Sequence, residues 1–200
     1  DGGNFYMALG YLASWLGPIY DIQDLYDGES ALSPVFNSIM HVQNVVFFQR
    51  NNFTDNDEIK KAIMTYGAIY TPIKTAFNGN KQYYNDGTSA NHAVVIVGWD
   101  DDLEFNGAPG KGGWIIKNSW GSNSGEKGYY YVSYYDKKLA TVNKSDVSYT
   151  FILNDTVKFD KNYQYDIPGR TDYFFNTSST VWYKNKFRST ANEYLAGVST

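Results

Sequence analysis

Residues 89–102 read SANHAVVIVGWDDD, and residues 112–121 read GGWIIKNSWG. Ala93–Trp99 and Gly113–Lys117 are strand candidates, short and rich in apolar and β-branched residues. Between them, DDDLEFNGAPGKG (100–112) is polar and carries Gly and Pro, as a hairpin loop does. Strands paired across that loop bring their outer ends together, and those ends are His92 and Asn118. A neutral amide can accept an imidazole N–H, fix the ring's tautomer and orientation, and leave the other nitrogen for proton transfer. Trp120 is well placed to cover such a bond. The spacing alone fits this pair and also fits an edge histidine beside a structural Asn-Ser turn.

Upstream, the period is helical. Asn4 is a candidate N-cap, Met7, Leu9, Leu12, Trp15 and Leu16 recur at helical spacing, and Gly17-Pro18 stops the pattern. Residues 19–53 are irregular, with a short strand at Val45–Phe48. A second helix has Thr54 and Asp57 as a capping box, an apolar face of Ile59, Ala62, Ile63 and Tyr66, and Gly67 as its stop. Beyond it the period becomes two. Ala68–Ile73 is a strand that Pro72 confines to an edge or bulge, and Tyr129–Tyr135 and residues 149–153 are further strands. Helices first and antiparallel strands after them predict an α+β fold.

Composition excludes several classes. The 200 residues are 42% hydrophobic and 19% charged with a net charge of −4, so no basic surface is offered to a nucleic acid. No apolar run reaches the roughly 18–20 residues of a membrane span. There is no cysteine, and His41 and His92 are the only histidines. Disulfides and thiolate metal sites are therefore absent, and neither a metal nor a cofactor is expected.

The two motifs resemble the second half of papain-like cysteine peptidases. That resemblance rests on His92, Ala93, Val94, Val97 and Gly98 in the first motif. In the second it rests on Lys117, Asn118, Ser119, Trp120, Gly121, Gly125, Gly128 and Tyr129. Residues 57–73, DEIKKAIMTYGAIYTPI, resemble the helix and strand that precede the histidine there. Gly2-Gly3 resembles the glycine pair lining the substrate cleft. The resemblance covers residues 1–155. It implies a helical half joined to an antiparallel, barrel-like β half, with acyl transfer by a Cys/His/Asn set. His92 is then the base, Asn118 its orienter, and the substrate a peptide or protein. The cleft is expected to draw on Gly2, Gly3, Asn4, Phe5, Pro72, Asn91 and Trp120. The same comparison puts the nucleophile roughly 40–60 residues before Asp1, outside this sequence. Ser124 stands where the family often carries a second tryptophan, so a more open and polar wall is expected there. Asn91 stands where plant members often have an acid.

Other candidates carry less. Asp100–Asp102 with Glu104 form an acidic run that a solvated loop explains, and His41 has no partner motif. Residues 156–200 change texture to short aromatic and β-branched runs between turn residues. They resemble the opening of the lectin-like β-sandwich attached to papain-like peptidases on prokaryotic cell surfaces. That implies two domains, 1–155 and 156–200, a secreted or cell-surface location, and contact with glycan or cell wall through the second. The rival reading is a non-catalytic surface adhesion or carbohydrate-binding protein that uses the peptidase fold as a scaffold.

Overall fold

Asn4 is extended (φ −128°, ψ 167°), and its Oδ1 accepts the Met7 N–H at 3.0 Å. That cap starts α1, Phe5–Ala13. The helix stops short of Leu16 because Trp15 turns to φ +63°. Its indole Nε1–H donates to Val42 O at 2.9 Å, and its ring stacks on His41 at 4.4 Å. His41 is therefore a half-buried stacking partner.

The computed structural model describes residues 4–25, 36–140, 147–154, 159, 161–164, 184 and 186–196. They fall into two units, Asp1–Asn44 with Ile152–Thr200, and Val45–Phe151. α1 belongs to the first. The β-rich domain expected at 156–200 lies largely outside the described residues.

The strands are β1 (His41–Phe48), β2 (Ile69–Ile73), β3 (Lys81–Gln82), β4 (His92–Asp100), β5 (Gly113–Lys117), β6 (Tyr129–Ser133) and β7 (Ser148–Asn154). They form a seven-stranded sheet in the order β1-β7-β2-β4-β5-β6-β3. The pairs β2–β4, β4–β5 and β5–β6 are antiparallel, while β3 runs parallel to β6. α2, Asp57–Tyr66, lays Ile59 and Ala62 into the core formed by Ile69, Ile73, Val94, Ile96, Trp114, Ile116 and Val132.

Three details differ from the sequence expectation. The Thr54–Asp57 capping box does not form, because the Thr54 hydroxyl and N–H both bond Asn52 Oδ1. Asn56 is the N-cap residue, and its side chain faces Arg50 instead. Acidic Asp57 and Glu58 in the first turn still suit the helix dipole. β1 begins at His41, four residues before the expected strand. Pro72, finally, lies in an interior strand. Ile73 O accepts the Asn91 N–H, so the alternation of the ladder turns residue 72 toward β7. Among the described residues β2 pairs with β7 at Tyr70↔Tyr149 alone, and no ladder bond there is lost at the proline.

Arg50 is 1% exposed and supplies five donations. Nε bonds Ala140 O (2.5 Å), Nη1 bonds Asn56 Oδ1 (2.9 Å), Tyr134 O (3.0 Å) and Phe53 O (3.3 Å), and Nη2 bonds Leu139 O (3.1 Å). Burial pulls its pKa down to about 10, against the opposing charge of Asp136. Asp136, also buried, accepts from Gln82 Nε2 and from the N–H groups of Tyr84, Lys138 and Leu139. Together they fix the turn after β6. Arg50→Met should therefore strand buried carbonyls and cost about 3–5 kcal/mol of stability. Urea unfolding measures this, and a loss under about 1 kcal/mol would contradict the role.

Candidate active site

The β4–β5 ladder shows why His92 and Asn118 meet. From Asp100↔Gly113 to Gly98↔Ile115 the pairing is uninterrupted, and it then shifts by one residue to Ile96↔Ile116 and Val95↔Lys117. Continued one step, the shifted register sets Asn118 opposite Val94. His92 lies two residues from Val94 on the same face, a diagonal neighbour. Without that bulge Asn118 would oppose Val95 and point to the other face of the sheet. On β2, Ile73 stands directly opposite His92.

His92 Nε2 lies 2.9 Å from Asn118 Oδ1. The Ser119 N–H donates to the same Oδ1 at 2.8 Å. A backbone N–H can only donate, so the atom it faces is the amide oxygen. That oxygen can only accept from His92, so Nε2 carries the hydrogen. In the neutral ring Nδ1 is then the nitrogen with a free lone pair. Asn118 is 6% exposed, and its Nδ2 is buried with no partner among the described residues.

The indole of Trp120 stacks on the imidazole, with centroids 5.2 Å apart and planes at 21°. The indole is held edge-on by Phe77 at 6.0 Å and by Tyr130 at 5.8 Å. Its loop closes on glycines. Gly128 has φ +90° and its carbonyl accepts the Asn118 N–H. Gly125 has φ +58°, and a Cβ there would lie 2.6 Å from Tyr129 O and from the Tyr130 ring.

The remaining expected residues divide. Asn91 Oδ1 accepts the Thr75 N–H at 2.9 Å, which ties the chain before His92 to the end of β2. Pro72 pairs with Ala93 beside it. Asn4 caps α1 and Phe5 packs on Tyr6, both in the first unit. Gly2 and Gly3 lie outside the described residues. Ser124 Oγ shares a hydrogen bond with the Tyr130 hydroxyl at 2.5 Å. In the acidic run Asp100 accepts the Asp102 N–H, Asp101 pairs with Lys60 and accepts from Tyr134, and Glu104 pairs with Lys111. Lys60 and Lys111 hold those two carboxyls below the usual carboxylate range.

Sequence reasoning missed Phe77, Tyr130 and Gln82. Gln82 accepts the Ala76 N–H and donates to Lys74 O, which shapes the loop presenting Phe77. No local pattern marks such a glutamine.

Residues 2–151 match the model of the papain family of cysteine proteases. The chain belongs to this family. It is 29% identical over 136 residues to viral cathepsin of Adoxophyes honmai nucleopolyhedrovirus, covering 66% of this chain and 38% of that protein. It is 35% identical over 98 residues to ananain of Ananas comosus, covering 44% and 25% respectively. Among solved structures, the cysteine protease and lectin-like domains of Cwp84, a surface layer associated protein of Clostridium difficile, superpose with a TM-score of 0.64. The identity there is 29%, over 74% of this chain and 36% of that one. The chain thus spans less than two fifths of the length of these relatives. Among the described residues no helix is long and apolar enough to cross a membrane.

Long-range proton–nitrogen correlation spectra of the neutral ring should find the His92 proton on Nε2. Asn118→Ala should release that preference. An Nδ1–H tautomer in the unaltered chain would contradict the geometry.

Proposed function

We propose that this chain supplies the base and the orienting amide of a cysteine peptidase whose nucleophile is carried outside residues 1–200. The observation that supports it is the His92–Asn118–Ser119 arrangement beneath Trp120, which protonates Nε2 and leaves Nδ1 free. In this scheme a cysteine thiol gives its proton to His92 Nδ1, forming a thiolate–imidazolium pair. The sulfur attacks the peptide carbonyl carbon, and collapse of the tetrahedral adduct breaks the C–N bond as Nδ1 returns the proton to the leaving amine. Nδ1 then takes a proton from water, whose oxygen displaces the sulfur. Asn118 keeps the ring in one orientation through both halves.

Asn91, which precedes His92 in the chain, and Pro72, which pairs with Ala93, belong to the proposed cleft, and Trp120 forms a wall on the leaving-group side. Gly2, Gly3, Asn4 and Phe5 complete the proposal from the N-terminal segment. A secreted or cell-surface location, a prokaryotic source and a glycan-contacting domain from residue 156 onward are proposed as well. They are supported by the likeness to Cwp84 and by the texture of residues 156–200.

The test starts with the coding sequence before Asp1, where a cysteine is expected roughly 40–60 residues upstream. Ser, Ala or Gly at that place would favour the non-catalytic, adhesive reading. In a protein carrying the upstream segment, His92→Ala should lower turnover of a peptide substrate by about 10²–10⁴-fold, and Asn118→Ala by less. Equal turnover by His92→Ala and the unaltered protein would remove the assignment. A larger loss from Asn118→Ala, with folding intact, would reverse the two roles.

A further inference from the structure

Trp120 is 47% exposed and sits on a loop without regular structure, two residues past Asn118. An indole so placed covers His92 only if something fixes it. Two edge-on rings do so, and they pack on each other, Phe77 on Tyr130 at 4.4 Å. Phe77 is set by its loop, which Gln82 holds. Tyr130 is set by β6, is 4% exposed, and buries a hydroxyl that needs a partner. That partner is Ser124 Oγ, at 2.5 Å. Ser124 lies four residues after Trp120 on the same loop, and the missing Cβ of Gly125 is what lets this stretch settle on the Tyr130 ring.

We infer that the Ser124–Tyr130 hydroxyl pair is a positioning lock, which clamps the Trp120 loop to β6 and so keeps the indole over the His92–Asn118 hydrogen bond. Among the described residues no hydrogen bond or ring contact joins Ser124 or Tyr130 to His92 or Asn118, and the pair acts through Trp120. A serine alone opens a gap, and a buried tyrosine alone leaves an orphan hydroxyl. The two close the wall together. The catalytic weight of the lock rests on the role proposed for His92, whereas its geometry does not.

The test uses the 200-residue chain and needs no turnover. The His92 Nε2–H is read by NMR for its rate of exchange with solvent. Tyr130→Phe and Ser124→Ala should each speed that exchange by about three- to tenfold, the effect of one neutral hydrogen bond. The double variant should be no faster than either single one, since both remove the same bond. Trp120→Ala should speed exchange at least as much. Rates unchanged in both single variants, or effects that multiply in the double variant, would overturn the proposal. The backbone amides of Ile96 and Ile116 are followed in the same spectra. If they accelerate by the same factor, the pair is a general stability element and the proposal fails. Should Tyr130→Phe not fold, Ser124→Ala, at a half-buried loop position, carries the test alone.

Discussion

The β4–β5 ladder changes register by one residue between Ile96 and Gly98, and the position of each polar group in the site follows from that offset. It turns Asn118 onto the face that also carries His92, Val94 and Ile96. That face is buried, so Asn118 arrives with little water to compete for its amide, and its oxygen is shared between Ser119 N–H and His92 Nε2. A hydrogen bond kept from water holds its geometry better than an exposed one. Trp120 extends the same protection to the outer side.

Around this pair the chain uses buried polar groups as fasteners for irregular segments. Arg50 gathers the carbonyls of Tyr134, Leu139 and Ala140, and Asp136 gathers N–H groups from Tyr84, Lys138 and Leu139. Gln82 links Asp136 to the loop bearing Phe77. Thr71 Oγ1 accepts the Ala140 N–H and the Ser148 hydroxyl, which joins β2 to the segment after β6 and to β7. The strands give the site its frame, and these side chains set the loops that complete it. Each is costly to remove because its partners are buried backbone groups.

Much of this was legible in the sequence, and the limits have physical reasons. The apolar runs at 93–99 and 113–117 and the polar loop between them were enough to place His92 near Asn118. The bulge that sets their common face was not legible, because a one-residue slip leaves the composition of both strands unchanged. Thr54 was misread as a cap because the competing partner, Asn52, is equally local and equally suited to a turn. The partner of Ser124 was not legible, because Tyr130 is six residues on and belongs to the next strand. Arg50 and Asp136 are ordinary charged residues in one dimension, and only burial makes them structural. The likeness of residues 2–151 to papain-family proteases shows the family, the geometry joins His92 to Asn118, and the roles given to single residues are proposals.

The central claim is that His92 exchanges a proton with a cysteine thiol. The most direct measurement is the alkylation rate of that cysteine against pH, in a protein that includes the upstream segment, with His92 intact and with His92→Ala. An ion pair with His92 predicts a thiolate that persists well below the free-cysteine pKa of about 8.5, and a return to about 8.5 when the histidine is removed. Superimposable pH profiles for the two proteins would contradict the account.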